Sequence, residues 1–100
     1  MSKNIRVLFE EFRYTPFPEL GMVVGDFAFY DSLMSGMVSS FLDGAKIDPD
    51  AIPTPDPATE EVLKILKKKV KPTKLEADFL KYALLLEELR GEVAKALKAD

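Results

Sequence analysis

Acid–base or nucleophilic chemistry in this chain would have to come from carboxylates, tyrosines and serines, because its 100 residues contain no histidine and no cysteine. Their absence excludes disulfide scaffolds, thiolate nucleophiles, zinc fingers, catalytic imidazoles and haem ligation by histidine or cysteine. Ser32, Ser35, Ser39 and Ser40 have no imidazole to act as base, and no Gly-x-Ser-x-Gly elbow surrounds them. The paired carboxylates Glu10–Glu11, Glu60–Glu61 and Glu87–Glu88 are helix neighbours that point about 100° apart, so each pair reads as a solvated face. Asp48, Asp50 and Asp56 lack the glycine and terminal glutamate of a calcium loop, and no glycine-rich phosphate cradle occurs. What remains is Asp26 and Asp31, in apolar surroundings where burial raises a carboxyl pKa, with Tyr30 and Tyr82. Helix capping accounts for both aspartates. Neither enzymatic activity nor a metal or cofactor is expected, and none of these patterns resembles the signature of a known family.

Contact is the better-supported use of these residues. Segment 21–44 is the least polar part of the chain, and as a helix it has two uncharged sides. Phe27, Tyr30, Met34, Met37, Val38 and Phe41 share one; Phe29, Ser32, Leu33, Gly36 and Ser40 share the other. A helix without a charged face is buried all round, in a core or between subunits. Ser32, Gly36 and Ser40 recur every four residues, which lets a neighbouring backbone come close, while Met34 and Met37 offer adaptable packing. The expected interface is therefore Phe27, Phe29, Tyr30, Met34, Gly36, Met37 and Ser40, joined by Leu80 and Leu84. In an alternative reading, a small-molecule binding module, Phe27, Phe29, Tyr30, Met34 and Met37 line an apolar pocket. Lys64, Lys67, Lys68 and Lys71 offer an electrostatic contact to an acidic protein surface. Nucleic acid is disfavoured, because the net charge is -3 and no aromatic residue interleaves the lysines.

Periodicity and punctuation define the elements that must carry these residues. Ile5, Leu8, Phe9 and Phe12, at steps of three and four, predict a helix over Asn4 to Tyr14. Pro16 and Pro18 force an extended connector around Phe17. Asp26 caps a second helix that runs to Leu42 or Asp43, with Gly44 as its left-handed stop. A competing reading takes Val24-Gly25-Asp26-Phe27 as a tight hairpin turn between β-favouring residues, giving an α+β fold with an N-terminal β-hairpin. Four prolines within residues 45–57 make a stiff Pro/Asp-rich connector. Beyond it Asp56 caps a third helix, with Pro57 at its first position, Val62, Ile65, Leu66 and Val70 on one face and the lysines opposite. Pro72 ends that helix, and Thr73-Lys74-Leu75-Glu76 is a capping box. Leu75, Phe79, Tyr82, Leu86, Leu89 and Val93 then form the seam of a last helix, about 37 Å long at roughly 1.5 Å per residue if it continues to Lys98. Gly91 is its weak point and a possible stop. Leu80 and Leu84 form a second stripe, so the first half of this helix is expected to be covered on two sides.

The expected fold is thus mostly all-α, a single domain over residues 1–100 built as a small bundle of about four helices, with a helical hairpin over 57–98. Its charge is uneven: residues 1–63 hold eleven acids and four bases, residues 64–74 six lysines and no acid, and residues 75–100 six acids and four bases. Lys3 and Arg6 imitate the basic start of a secretory signal, but Glu10, Glu11 and Arg13 interrupt the apolar stretch that such a signal needs next. Asp26 and Asp31 would each cost about 2.5–3.5 kcal/mol at the centre of a bilayer, which disfavours a span over Leu20 to Leu42. These features lead to the expectation of a cytoplasmic, non-enzymatic accessory protein that forms a homodimer or docks on a protein partner.

Overall fold

The computed structural model describes residues 4–99; Lys3 and Asp100, counted above for charge, lie outside them. Among these residues four α-helices occur in chain order: α1 (Ile5–Tyr14), α2 (Phe27–Leu42), α3 (Pro57–Lys68) and α4 (Lys74–Lys98), with single 3-10 turns at Glu19–Met22 and Pro49–Ala51. There is no strand among the described residues, so the β-hairpin alternative is not supported. Gly25 does take a left-handed conformation, with φ +48°, but the turn feeds a helix: Phe27 N–H donates to the Val24 carbonyl at 3.0 Å.

Local capping chemistry sets most of the boundaries. Asn4 Oδ1 accepts from Arg6 N–H at 2.8 Å and opens α1. At the other end of α2, Gly44 at φ +91° lets its own N–H reach the Phe41 carbonyl while Ala45 N–H reaches that of Ser40. This is the paired closure of a Schellman motif. At α4 the Thr73 side chain accepts from Glu76 N–H at 3.2 Å, and Glu76 Oε1 accepts from Thr73 N–H at 2.8 Å, the reciprocal capping box. Gly91 does not stop α4, which continues to Lys98; at 25 residues it spans most of the 41 Å long dimension of the molecule.

Helix α4 is the spine. It contacts α1, α2, α3 and both 3-10 turns. Its buried residues are Phe79, Tyr82, Ala83, Leu85, Leu86, Leu89 and Val93, a wider set than one heptad seam, as expected for a helix flanked on more than one side. Leu8, Phe9 and Phe12 of α1, Phe27, Tyr30, Met34 and Val38 of α2, and Leu63 and Leu66 of α3 complete one continuous core. At its centre Phe27 lies edge-on to Phe79 (centroids 4.8 Å apart) and to Tyr82 (5.9 Å). Phe17, held between its two prolines, closes over the same group, 5.9 Å from Phe27 and 5.5 Å from Tyr82.

Three expectations about faces and caps need correction. Helix α3 buries Thr59, Leu63 and Leu66, whereas Ile65 and Val70 are exposed, Val70 because α3 ends at Lys68. Asp56 makes no side-chain capping bond at the start of α3, and Asp26 makes none at the start of α2. Instead, its backbone N–H donates to Asp56 Oδ1 at 3.2 Å, and Thr59 Oγ1 donates to the same carboxylate, so Asp56 ties the start of α3 to the turn before α2. A Cβ on Gly25 would sit 2.6 Å from Asp56 Oδ2, so this tie requires glycine there. The connector is also anchored: Arg90 Nε donates to the Pro53 carbonyl at 2.8 Å and pins it to α4.

Candidate functional site

Within α2 the structure divides the expected interface residues into two sets. Phe27 and Met34 have no exposed surface, Tyr30 is 5% exposed, and Met37 packs against the core. These residues are occupied in holding α2 against the rest of the chain and are not free to meet a partner. Phe29 and Leu33, by contrast, are 65% and 45% exposed, and Gly36 and Ser40 are exposed with them. Steps of four, three and four place Phe29, Leu33, Gly36 and Ser40 along one stripe of α2. Ala28, Ser32 and Ser39 are exposed beside it, and no exposed residue of α2 carries a charge. Met22 and Val23, in the turn that leads into α2, are also strongly exposed.

Asp31 is the single ionisable acid of α2, and it faces inward far enough to accept from Tyr82 Oη at 2.6 Å. Burial raises its carboxyl pKa above the usual range, against the opposing pull of the Tyr82 hydrogen bond. The same burial, reinforced by the bond to Asp31, pushes the Tyr82 phenol far up. The pair is therefore a structural link between α2 and α4 that removes the only charge from the exposed surface of α2. The expected capping role for Asp31 is replaced by this contact across 51 residues of chain.

The pocket imagined from Phe27, Phe29, Tyr30, Met34 and Met37 does not form. Phe27 and Met34 are sealed in the core, and Phe29 projects from the other side of the helix. On α4, Leu80 packs partly on the core, while Leu84 is 41% exposed. The second stripe therefore contributes to the fold through Leu80 and leaves Leu84 at the surface.

The lysine segment is partly neutralised by α4. Lys67 lies 3.3 Å from Glu87, Lys69 2.6 Å from Glu76 and Lys74 3.8 Å from Asp78. The Lys69 contact and the capping bond to Thr73 N–H hold the Glu76 carboxyl below the usual range. Lys64, Lys68 and Lys71 are exposed, with Lys71 beyond the end of α3. Among the described residues no group of three or more acidic, histidine or cysteine side chains is placed to hold a metal ion. No helix among them is long and apolar enough to cross a membrane.

Sequence reasoning identified the two sides of α2 from periodicity alone. It missed the Asp31–Tyr82 link and the Asp56 tie, whose partners lie far apart in the chain and leave no local pattern. Comparison with protein-family models, with curated proteins and with solved structures finds no match to this chain, so the geometry itself carries the functional reading.

Proposed function

We propose that this is a small helical protein that works by contact rather than by chemistry, and that it associates with a second copy of itself through the uncharged stripe of α2. One observation supports this reading: Phe29 and Leu33 are exposed on a helix whose solvent side carries no charge. Elsewhere the exposed helix surfaces are rich in Lys, Arg and Glu. Scattered exposed apolar residues are ordinary, but an uncharged stripe with a flat glycine and serine margin is the composition of a surface that meets another. The acid–base candidates do not gather into a site: Asp31 and Tyr82 satisfy each other, and the Asp26 side chain is exposed. Docking on a larger protein through the same stripe is the variant of this reading in which the second copy is replaced by another surface.

Sedimentation equilibrium across a wide concentration range tests the self-association. The expected mass exceeds the 11.2 kDa of one chain, and Leu33→Glu returns it to one chain with an unchanged helical circular dichroism spectrum. A monomer at every concentration removes the dimer. If, in addition, Leu33→Glu leaves all associations of the protein intact, the stripe is not a contact surface.

A further inference from the structure

Beside Tyr30 of α2, a groove of about 380 Å³ opens between α2, α3, α4 and the proline connector. Its volume lies at the small end of ligand clefts, which run from about 300 to 1,000 Å³. Tyr30 lines it, only 5% exposed to solvent, and the Tyr30 hydroxyl has no hydrogen-bond partner within the protein. Buried polar groups are bonded as a rule, so an orphan phenol at the wall of a groove indicates a missing acceptor. The charged groups that act on this phenol are Arg90 and Glu87, both in the same wall.

The surrounding chemistry is dominated by donors. Arg90 uses its Nε on the Pro53 carbonyl and has no carboxylate partner among the described residues, which leaves its terminal N–H groups for something else. Lys64, at the rim, also lacks an acidic partner among them. Glu87 is engaged by Lys67. Counting Glu60, the groove sets three cations against two carboxylates and so keeps one net positive charge. Leu63 and Pro55 supply an apolar wall.

We infer that this groove binds a small monocarboxylate with an apolar body, its carboxylate accepting from the Arg90 guanidinium and, after a small turn of the side chain that opens its sealed oxygen to the groove, from the Tyr30 hydroxyl, and its body lying against Leu63 and Pro55. A single negative charge matches the net charge of the site, whereas a phosphate dianion would leave Glu60 and Glu87 facing an excess of negative charge. The planar guanidinium and the phenol together give the two donors that a carboxylate fork takes. The groove residues do not include Phe29, Leu33, Gly36 or Ser40, so the site stands or falls separately from the self-association.

Nuclear magnetic resonance titration of the full chain with benzoate tests the inference, with benzyl alcohol and inorganic phosphate as controls. Benzoate is expected to give saturable shifts at Tyr30, Leu63 and Arg90, with binding at least about tenfold tighter than for either control, as a hydrogen bond to a charged group implies. Tyr30→Phe keeps the ring packing and should weaken benzoate about tenfold or more, while the variant without ligand is as stable as the parent or more so. Benzyl alcohol binding as tightly as benzoate, phosphate binding as tightly, equal benzoate affinity in Tyr30→Phe, or the absence of saturable shifts at these residues each overturns the proposal.

Discussion

Helices α2 and α3 both expose one long side to solvent, and they equip it differently. Beside one exposed large apolar residue, Ile65, the outer side of α3 carries Glu60, Glu61, Lys64, Lys67 and Lys68, arranged so that acids lie near its positive N-terminal end and lysines near its negative C-terminal end. The outer side of α2 carries Ala28, Phe29, Ser32, Leu33, Gly36, Ser39 and Ser40. Water is the natural partner of the first surface but not of the second. The contrast is sharpened by Asp31, the one charge of α2, which is turned inward to Tyr82. A helix that keeps its ionisable group off its outer face is suited to contact, whereas α3 pairs Lys67 with Glu87 of α4 and remains solvated.

The two sides of α2 can be separated by mutation, and the largest effect belongs to its inner side. Phe27→Ala removes the ring at the centre of the aromatic cluster and should cost about 3–5 kcal/mol in chemical denaturation. Phe29→Ala, two positions on and facing outward, should change monomer stability by less than about 0.5 kcal/mol. If both cost the same, the division of α2 into a core side and a contact side is wrong. A smaller effect comes from the glycines. A Cβ at Gly36 or at Gly91 would meet nothing within 4 Å in the single chain, so Gly36→Ala and Gly91→Ala should each stabilise the monomer by about 0.5–1 kcal/mol through helix propensity. Their association constants should part: Gly36→Ala intrudes on a close approach across the stripe and weakens the dimer, while Gly91→Ala leaves it unchanged. Sedimentation of both variants decides this, and equal behaviour would place the contact away from Gly36.

The smallest effect is a pH dependence. Burial raises the Asp31 pKa, so the native state holds that proton more tightly than the unfolded chain does. Its favourable contribution is complete below pH about 4 and is lost as pH rises through the raised native value, leaving a charged carboxylate at a cost at neutral pH. Asn accepts the Tyr82 hydrogen bond without that charge. Asp31→Asn should therefore gain stability relative to the parent between about pH 4 and 7, and urea titrations over that window should show the difference growing with pH. Asp56 and Glu76 act in the opposite sense. Their carboxyls are held low by hydrogen bonds from Thr59 and Lys69 respectively, so their contribution is present above pH about 4 and lost on acidification. A difference that shrinks with rising pH would show that Asp31 is stabilised as the anion.

Much of the fold was readable because its signals are local. Gly44, Pro57 and the Thr73–Glu76 box act within one helical turn, and the apolar faces of α1 and α2 follow a period that the chain states directly. The face of α3 was misassigned because Ile65 and Val70 fit the same spacing as Val62 and Leu66, and only the position of α4 shows that Leu63 lies inward. Gly25-Asp26 carries the residues of a hairpin turn, but its neighbours find a helix to pack against and, among the described residues, no strand to pair with. That Phe27, Tyr30, Met34 and Met37 of the candidate interface lie on the packed side of α2 was not legible for a related reason. Periodicity separates two sides of an apolar helix without saying which one the rest of the chain covers.

Taken by itself, the sequence determined that the protein is mostly helical, with residues 20–31 left open between helix and hairpin, where most helices begin, and that it lacks the thiol and imidazole chemistry of many enzymes. Those properties depend on residue identity and on neighbours within about four positions. Tertiary structure decided which side of α2 is free, that Asp31 belongs to Tyr82, that Asp56 holds two segments together, and that Tyr30 stands unpartnered at a groove rimmed by Arg90 and Lys64. Each of these is a meeting of groups brought together by burial of a shared core, and the packing of that core against α4, rather than any local pattern, selects which groups meet.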